Sequence, residues 1–460
     1  MFYTKDKAFF PKLLVLVLPI LLQNLLSSSL NFIDVFMIGR LGEASVAAVG
    51  SANQFFFILQ MLIFGLASSS AIFTAQYWGR GDIKNIRAVM GIGLILTLSI
   101  SLLVMIVTLF SSHAIIHFFS SDLHVVSLGG DYLRVIAYTF LIVSLTTSFS
   151  VVLRSTENVV YPMIASICGI ILNTILNYLL IFGNYGFPNL GVLGAAYATL
   201  IARFFEMLII VLITYTRKLP AAASIIDLFN FSKTQVRIYL KKSIPVVLQS
   251  AGWAAGFSMF AMIFGHISTE SLASYNIAGS IERICLIFFK GLGSACAIMI
   301  GNRIGAGEEE KAQGYARNFL ILGIIIALVV SSLLLILRRP IVNLYDLTET
   351  SKSYMMGILL VTLIILWARA CNIIFHMGIF KSGGDTLFSM IVDVGGVWLI
   401  GVPIALITAF IFHFPVHYIL GFLIIEELVK VLVAFKRYKS GRWVNNLIAK
   451  TEKKTIYKQS

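Results

Sequence analysis

Residues 65–82 read GLASSSAIFTAQYWGRGD and residues 291–308 read GLGSACAIMIGNRIGAGE, two stretches separated by 226 positions. Each is a run of small and apolar residues that closes on Gly-x-Gly followed by an acid. The same offset carries Pro19 to Pro245, Gln23 to Gln249 and Ala47 to Ala273, and an offset of 227 carries Leu-Arg-Ser at 153–155 to Phe-Lys-Ser at 380–382. A period close to half of 460 residues means one block used twice.

What kind of block follows from composition. Hydrophobic residues make up 58% of the chain and charged residues 12%, half the charge content of a soluble domain, and the mean hydropathy is +0.92. Apolar runs long enough to cross about 30 Å of hydrocarbon as helices recur along both halves, about twelve in all. The first runs from Leu13 to Ile38, the fourth from Tyr132 to Leu153 and the twelfth from Pro415 to Phe435. The fold class is therefore an all-α integral membrane protein with about twelve transmembrane helices in two six-helix repeats. The length of the apolar runs disfavours a β-barrel, whose strands show short alternating segments.

Net charge is +14 with a pI near 9.6, but its placement speaks for a lipid bilayer and against nucleic acid. Lys5, Lys7, Lys12, Arg80, Lys84, Arg87, Arg217, Lys218, Lys233, Arg237, Lys241, Lys242, Arg303, Lys311 and Arg317 fall in alternate loops with the basic tail. The opposite loops at 111–130 and 183–189 contain no Lys or Arg, while Arg338, Arg339 and Lys352 are exceptions. The bias places both termini of a multi-pass membrane protein in the cytoplasm. With six spans per half, the repeats run parallel. The expected division is a first lobe at 1–215, a cytoplasmic linker at 216–243, a second lobe at 244–436 and a basic cytoplasmic tail at 437–460.

Charged and amide side chains within spans are the candidate functional groups. Asp34 lies 21 residues beyond Leu13, about 31 Å along a helix, in the outer part of the membrane. Asn173 and Asn177 are one helical turn apart on one face, and Thr199 comes inward from the outer end of the sixth span, so the four share one depth. A carboxylate, two amide oxygens and a hydroxyl suit Na⁺, and the carboxylate alone suits a proton. The same three polar side chains would also serve as hydrogen-bonding glue between helices.

In the second half, Glu282 is expected to be neutralised by Arg283 or Lys290, a structural role; Arg369, Asn372, His376 and Asp393 complete the ionisable and polar set as structural or coupling candidates. Phe55, Phe56, Phe57, Trp253, Met259 and Tyr275 are candidate linings of a cavity for flat lipophilic cations, against ordinary packing. Cys168, Cys285, Cys296 and Cys371 read as small packing residues. The Gly-x-Gly motifs read as helix caps and turns. There is no Walker lysine motif, HExxH or G-x-S-x-G element, so nothing points to an enzyme or a cofactor.

The pieces PILLQN at 19–24, NFIDVFMIGRLG at 31–42, TAQYWGRGD at 74–82, LRSTENVVYP at 153–162, ILNTILNYLLIFG at 171–183, IGNRIGAGE at 300–308 and KSGGDT at 381–386 together resemble the multidrug and toxic compound extrusion family across nearly the whole chain. The resemblance implies two six-helix lobes around a central cavity and export of small-molecule drugs against Na⁺ or H⁺ by alternating access. It implies a coupling-cation site at Asp34, Asn173, Asn177 and Thr199. Asn177 stands where some proton-driven members carry an aspartate, which tilts the reading toward Na⁺. Ser250 stands where many members carry a glutamate, which puts a second coupling site in doubt. The reading is a monomeric antiporter of the cell inner membrane, a secondary transporter. A flippase for a lipid-linked oligosaccharide or polyisoprenoid precursor is the alternative, to be recognised by Arg or Lys side chains converging on the cavity.

Overall fold

A computed structural model describes residues 6–345 and 347–448, and within them the backbone alone at 30–32 and 269. Every regular element among the described residues is helical. The chain runs through α1 (Phe9–Gly39), α2 (Glu43–Arg80), α3 (Ile83–Phe119), α4 (Leu123–Ile136), α5 (Thr139–Ser155), α6 (Val160–Phe182), α7 (Gly191–Thr216), α8 (Ile225–Phe229), α9 (Lys233–Ile267), α10 (Thr269–Gly305), α11 (Glu309–Asn343) and α12 (Glu349–Ile373). It ends with α13 (Phe380–Ser382), α14 (Thr386–Gly395), α15 (Val402–Leu406), α16 (Val416–Phe422) and α17 (Ile424–Lys439). Wider π-helical turns at Ile374–Ile379, Gly396–Gly401 and Ile407–Ile411 join several of these last pieces.

Among the described residues, ten helical spans are long and apolar enough to cross a membrane, eleven if α4 and α5, bent by 46°, are taken as one span. The twelfth expected span differs from its sequence reading. It is split at Leu423 into α16 and the 16-residue α17, about 24 Å long at 1.5 Å per residue. It also carries Glu426, Glu427 and Lys430 within the apolar run.

The paired Gly-x-Gly motifs do the same local work in both halves. Gly81 takes φ 76° and ends α2, its N–H donating to the Trp78 carbonyl at 3.0 Å while the next N–H reaches Tyr77 at 3.0 Å. Asp82 then accepts from Asn85 N–H at 3.1 Å and starts α3. Gly307 takes φ 78°, and the Glu308 N–H closes on the Arg303 carbonyl at 2.9 Å. A left-handed glycine releases the last carbonyls of one helix so that the next can begin after a tight turn.

The chain divides into two compact units, one of Leu18–Ser243 and the other of Ile244 onward with the residues up to Val17. The two starting points, 18 and 244, differ by 226, the repeat offset, and each precedes its proline by one residue. The stretch read as a linker at 216–243 packs within the first unit. Tyr239 is buried there, its hydroxyl bonding the Leu66 carbonyl at 2.9 Å and Ser70 Oγ at 2.8 Å. Arg87 pairs with Asp227 at 3.0 Å.

In the second unit the segment before Val17 is fixed by chemistry that hydropathy does not reveal. Phe9 is fully buried between the rings of Tyr315 and Phe319, with centroids at 4.9 and 5.4 Å. Asp6 accepts from the Tyr315 hydroxyl at 2.6 Å and from Arg303 at 3.0 Å. The tyrosine hydrogen bond, helped by the charges of Arg303 and Lys311, holds the Asp6 carboxyl below its usual range. Glu308 is held low in the same way, chiefly by Lys311 and then by Arg303. Of the basic tail read at 437–460, residues from 449 onward lie outside the described residues, as does Lys5.

Candidate functional site: a carboxylate and amide chain in the first unit

The close approach of α6 and α7 sets the geometry. A side chain at Gly194 would overlap the Leu180 carbonyl, and one at Gly169 would press on Glu206. These two glycines let the helices pack backbone to backbone, the usual solution where lipid supplies no hydrophobic drive between helices. Asn173 and Asn177 on α6 thereby face Thr199 on α7, and α1 brings Asp34 to the same place.

The four expected residues are joined in one hydrogen-bonded chain. Asn177 Nδ2 donates to Asp34 Oδ1 at 2.7 Å and to Asn173 Oδ1 at 3.1 Å, and Asn173 Nδ2 donates to Thr199 Oγ1 at 3.3 Å. Asn173 and Asn177 are 4% and 1% exposed. A carboxylate can only accept, so the Asn177 amide nitrogen must face Asp34. That orientation leaves Asn177 Oδ1 buried with no hydrogen-bond partner. An orphaned buried acceptor costs about 1–3 kcal/mol, and beside a carboxylate it is the atom that a small cation would satisfy.

One and two turns along α7 from Thr199 come Arg203 and Glu206, which the sequence reading did not place in the site. Arg203 Nη1 pairs with Glu206 Oε2 at 2.8 Å, and the Glu206 side chain is 9% exposed. Nearby, Arg154 Nη2 donates to Gln23 Oε1 at 2.7 Å, and Gln23 Nε2 reaches the Pro162 carbonyl at 3.5 Å. The face Pro162, Ser166, Gly169, Asn173, Asn177 of α6 thus meets Gln23 at Pro162, the Glu206 stem at Gly169, and Thr199 and Asp34 at its two asparagines. Its signal in the sequence was the 4-3-4-4 spacing of small and polar residues read together with an acid at Glu206.

The second unit holds a separate charged network. Glu282 pairs with Arg369, which corrects the expected pairing with Arg283 or Lys290. Residue 283 projects about 100° away from 282 around the helix, and Arg283 donates instead to Ser280 Oγ at 2.7 Å. Lys290 is exposed on α10. Arg369 Nε also meets Glu427 Oε1 at 3.2 Å, and Asn372 donates to Glu427 Oε2 at 2.7 Å. Lys430 Nζ reaches Glu426 at 2.7 Å, Asp393 at 3.6 Å and Glu427 at 3.8 Å. Gln249 Nε2 donates to Asp393 at 2.9 Å, and His376 Nδ1 lies 3.0 Å from Ser389 Oγ. Ser250 bonds back to the Val246 carbonyl at 3.1 Å. Glu426, Glu427 and Lys430 were missed, although EELVK inside an apolar run is the signal that marks them.

The aromatic candidates have mixed placements. Phe55 and Phe56 pack against the first unit's core, with Phe56 stacked on Phe140 at 5.6 Å, and Phe57 is 41% exposed. In the second unit Tyr275 is buried against Phe264 at 4.7 Å, and Met259 packs on the same core. Trp253 is 41% exposed and stacks on Phe257 at 5.7 Å, which in turn meets Tyr275 at 5.9 Å.

The MatE family model matches residues 19–179 and 245–423. The chain is 27% identical to the probable multidrug resistance protein YoeA of Bacillus subtilis (strain 168), over 88% of this chain and 87% of that one. It is 23% identical to the probable multidrug resistance protein NorM of Thermotoga maritima, over 96% and 95%. Among solved structures, an outward-facing multidrug resistance MATE family transporter of the MOP superfamily superposes with a TM-score of 0.84, at 20% identity and 93% and 95% coverage; that likeness shows the fold.

Proposed function

Because the chain belongs to the MatE family of multidrug efflux transporters, we propose that it exports organic cations or other amphipathic drugs in exchange for inward Na⁺ or H⁺, with Asp34 as the coupling group. The observation that carries this reading is the Asp34–Asn177–Asn173–Thr199 chain with its orphaned Asn177 oxygen.

Asp34 supplies the charge that a desolvated cation requires, while the amide oxygen of Asn177 and the Thr199 hydroxyl are neutral hard donors of the kind Na⁺ takes. A proton would use Asp34 alone and leave the amide oxygen idle, so the orphaned atom favours Na⁺. Occupation neutralises Asp34 and changes what Asn177 must satisfy, which ties cation binding to the packing of α1 on α6. Such binding drives export only through unequal affinity for the two transport states. Lys and Arg placement supports cytoplasmic termini. The flippase reading loses support, because Arg203 and Arg369 are each held by a carboxylate in preference to standing free for a pyrophosphate.

The test is efflux of ethidium from proteoliposomes under separately imposed Na⁺ and pH gradients. The reading expects efflux that follows an inward Na⁺ gradient at constant pH. Efflux indifferent to both gradients contradicts it.

A further inference from the structure

Arg203 stands on α7 one helical turn from Thr199 and one from Glu206. Its guanidinium pairs with Glu206 at 2.8 Å, and the Arg203 side chain is 38% exposed whereas that of Glu206 is 9% exposed. Thr199, which closes the Asp34 chain, is one helical turn toward the start of α7. Side chains on a helix lean toward its N-terminus, so the relaxed direction of Arg203 is toward Thr199 and the Asp34 end. Arg203 lies within electrostatic range of the Asp34 carboxylate.

Glu206 is equipped for the departure of its partner. Arg154 is a second cation within electrostatic range of it, and Arg154 Nε is a buried donor with no hydrogen-bond partner. A buried carboxylate stripped of its only cation is strongly destabilising; with Arg154 in place, Glu206 is not stripped.

We propose that Arg203 is a tethered stand-in for the coupling cation, paired with Glu206 while a cation occupies Asp34 and moving onto Asp34 when that cation leaves. The proposal rests on the reading that Asp34 binds the coupling cation. It gives the transporter a way to keep Asp34 neutralised through the part of the cycle in which the drug is carried. Arg203 and the inorganic cation then exclude one another at Asp34, which is a form of coupling.

The test measures ²²Na⁺ binding to the purified full chain and, in Na⁺-free buffer, proton uptake with a pH indicator. Arg203→Gln removes the competitor and tightens binding at least about threefold, whereas Arg203→Lys keeps the competition and stays near wild type. Glu206→Gln releases Arg203 toward Asp34 and weakens binding at least about threefold. In the double variant, Arg203→Gln with Glu206→Gln, binding matches Arg203→Gln alone, since Glu206 acts only through Arg203. A fixed electrostatic background would instead make the two changes additive, and additivity overturns the proposal, as does unchanged or weakened binding in Arg203→Gln. Should Arg203→Gln not fold, Glu206→Gln decides alone, unchanged affinity being the contrary result. Asp34→Asn separates the two levels. If it binds Na⁺ and protons like wild type, the Asp34 reading itself falls; if it abolishes binding while the Arg203 variants behave additively, only the stand-in does.

Discussion

Asn177 donates through one amide nitrogen to Asp34, 143 positions earlier in the chain and 2.7 Å away, and to Asn173 one turn back on its own helix at 3.1 Å. A single side chain therefore fixes the carboxylate of α1 to the face of α6 and leaves its own acceptor oxygen buried without a hydrogen-bond donor.

Asn177→Ala removes that link. A hydrogen bond to a charged group contributes about 1.5–3 kcal/mol, so the affinity for the coupling cation should fall about ten- to hundredfold, measured by ²²Na⁺ binding at constant pH. Affinity within twofold of wild type would deny Asn177 any part in the site.

Asn177→Asp puts a second carboxylate within about 3 Å of Asp34, where two carboxylates share one proton. Efflux should then follow the pH gradient more steeply and the Na⁺ gradient less. Proteoliposomes with each gradient imposed alone would reveal the change, and an unchanged ion dependence would speak against a shared site.

Lys430 is 6% exposed and faces Glu426, Glu427 and Asp393. Lys430→Met leaves three buried carboxylates with Arg369 as the remaining cation of the network, a loss of about 3–5 kcal/mol for a broken buried pair. The thermal midpoint in detergent should drop clearly, and adding Glu426→Gln should recover part of it. A midpoint equal to wild type would mean that the network contributes no stability.

Asp6 carries a pH-dependent prediction. Its folded pKa is depressed, first by the Tyr315 hydrogen bond, so its contribution is present above the unfolded aspartate value of about 3.9 and is lost as pH falls through the lower folded value. The stability difference between wild type and Asp6→Asn should be full at neutral pH and shrink under strong acid. Thermal unfolding at both pH values measures this, and a pH-independent difference would contradict it.

The repeat, the helical class and the Gly-x-Gly caps were legible in the sequence because each rests on local chemistry: apolar length, left-handed glycine, and an acid to start the next helix. The proximity of Asp34, Asn173, Asn177 and Thr199 was legible through depth and helical period. The roles of Gly169 and Gly194 were not, since close packing of α6 on α7 is a property of two helices together. Glu282 found Arg369, 87 positions away, where local reading offered only its neighbours. The twelfth span hid its charges because a window average over an apolar run dilutes Glu426, Glu427 and Lys430. The stretch at 216–243 read as a polar linker, yet Tyr239 buries its ring and bonds Ser70, a long-range match that composition does not show.

Cation-driven ethidium efflux by Asp34→Asn, reconstituted beside wild type and shown by thermal unfolding to be folded, tests the central claim most directly. The account predicts that ethidium no longer leaves faster when an inward Na⁺ or proton gradient is imposed. Gradient-driven efflux at the wild-type rate would contradict it.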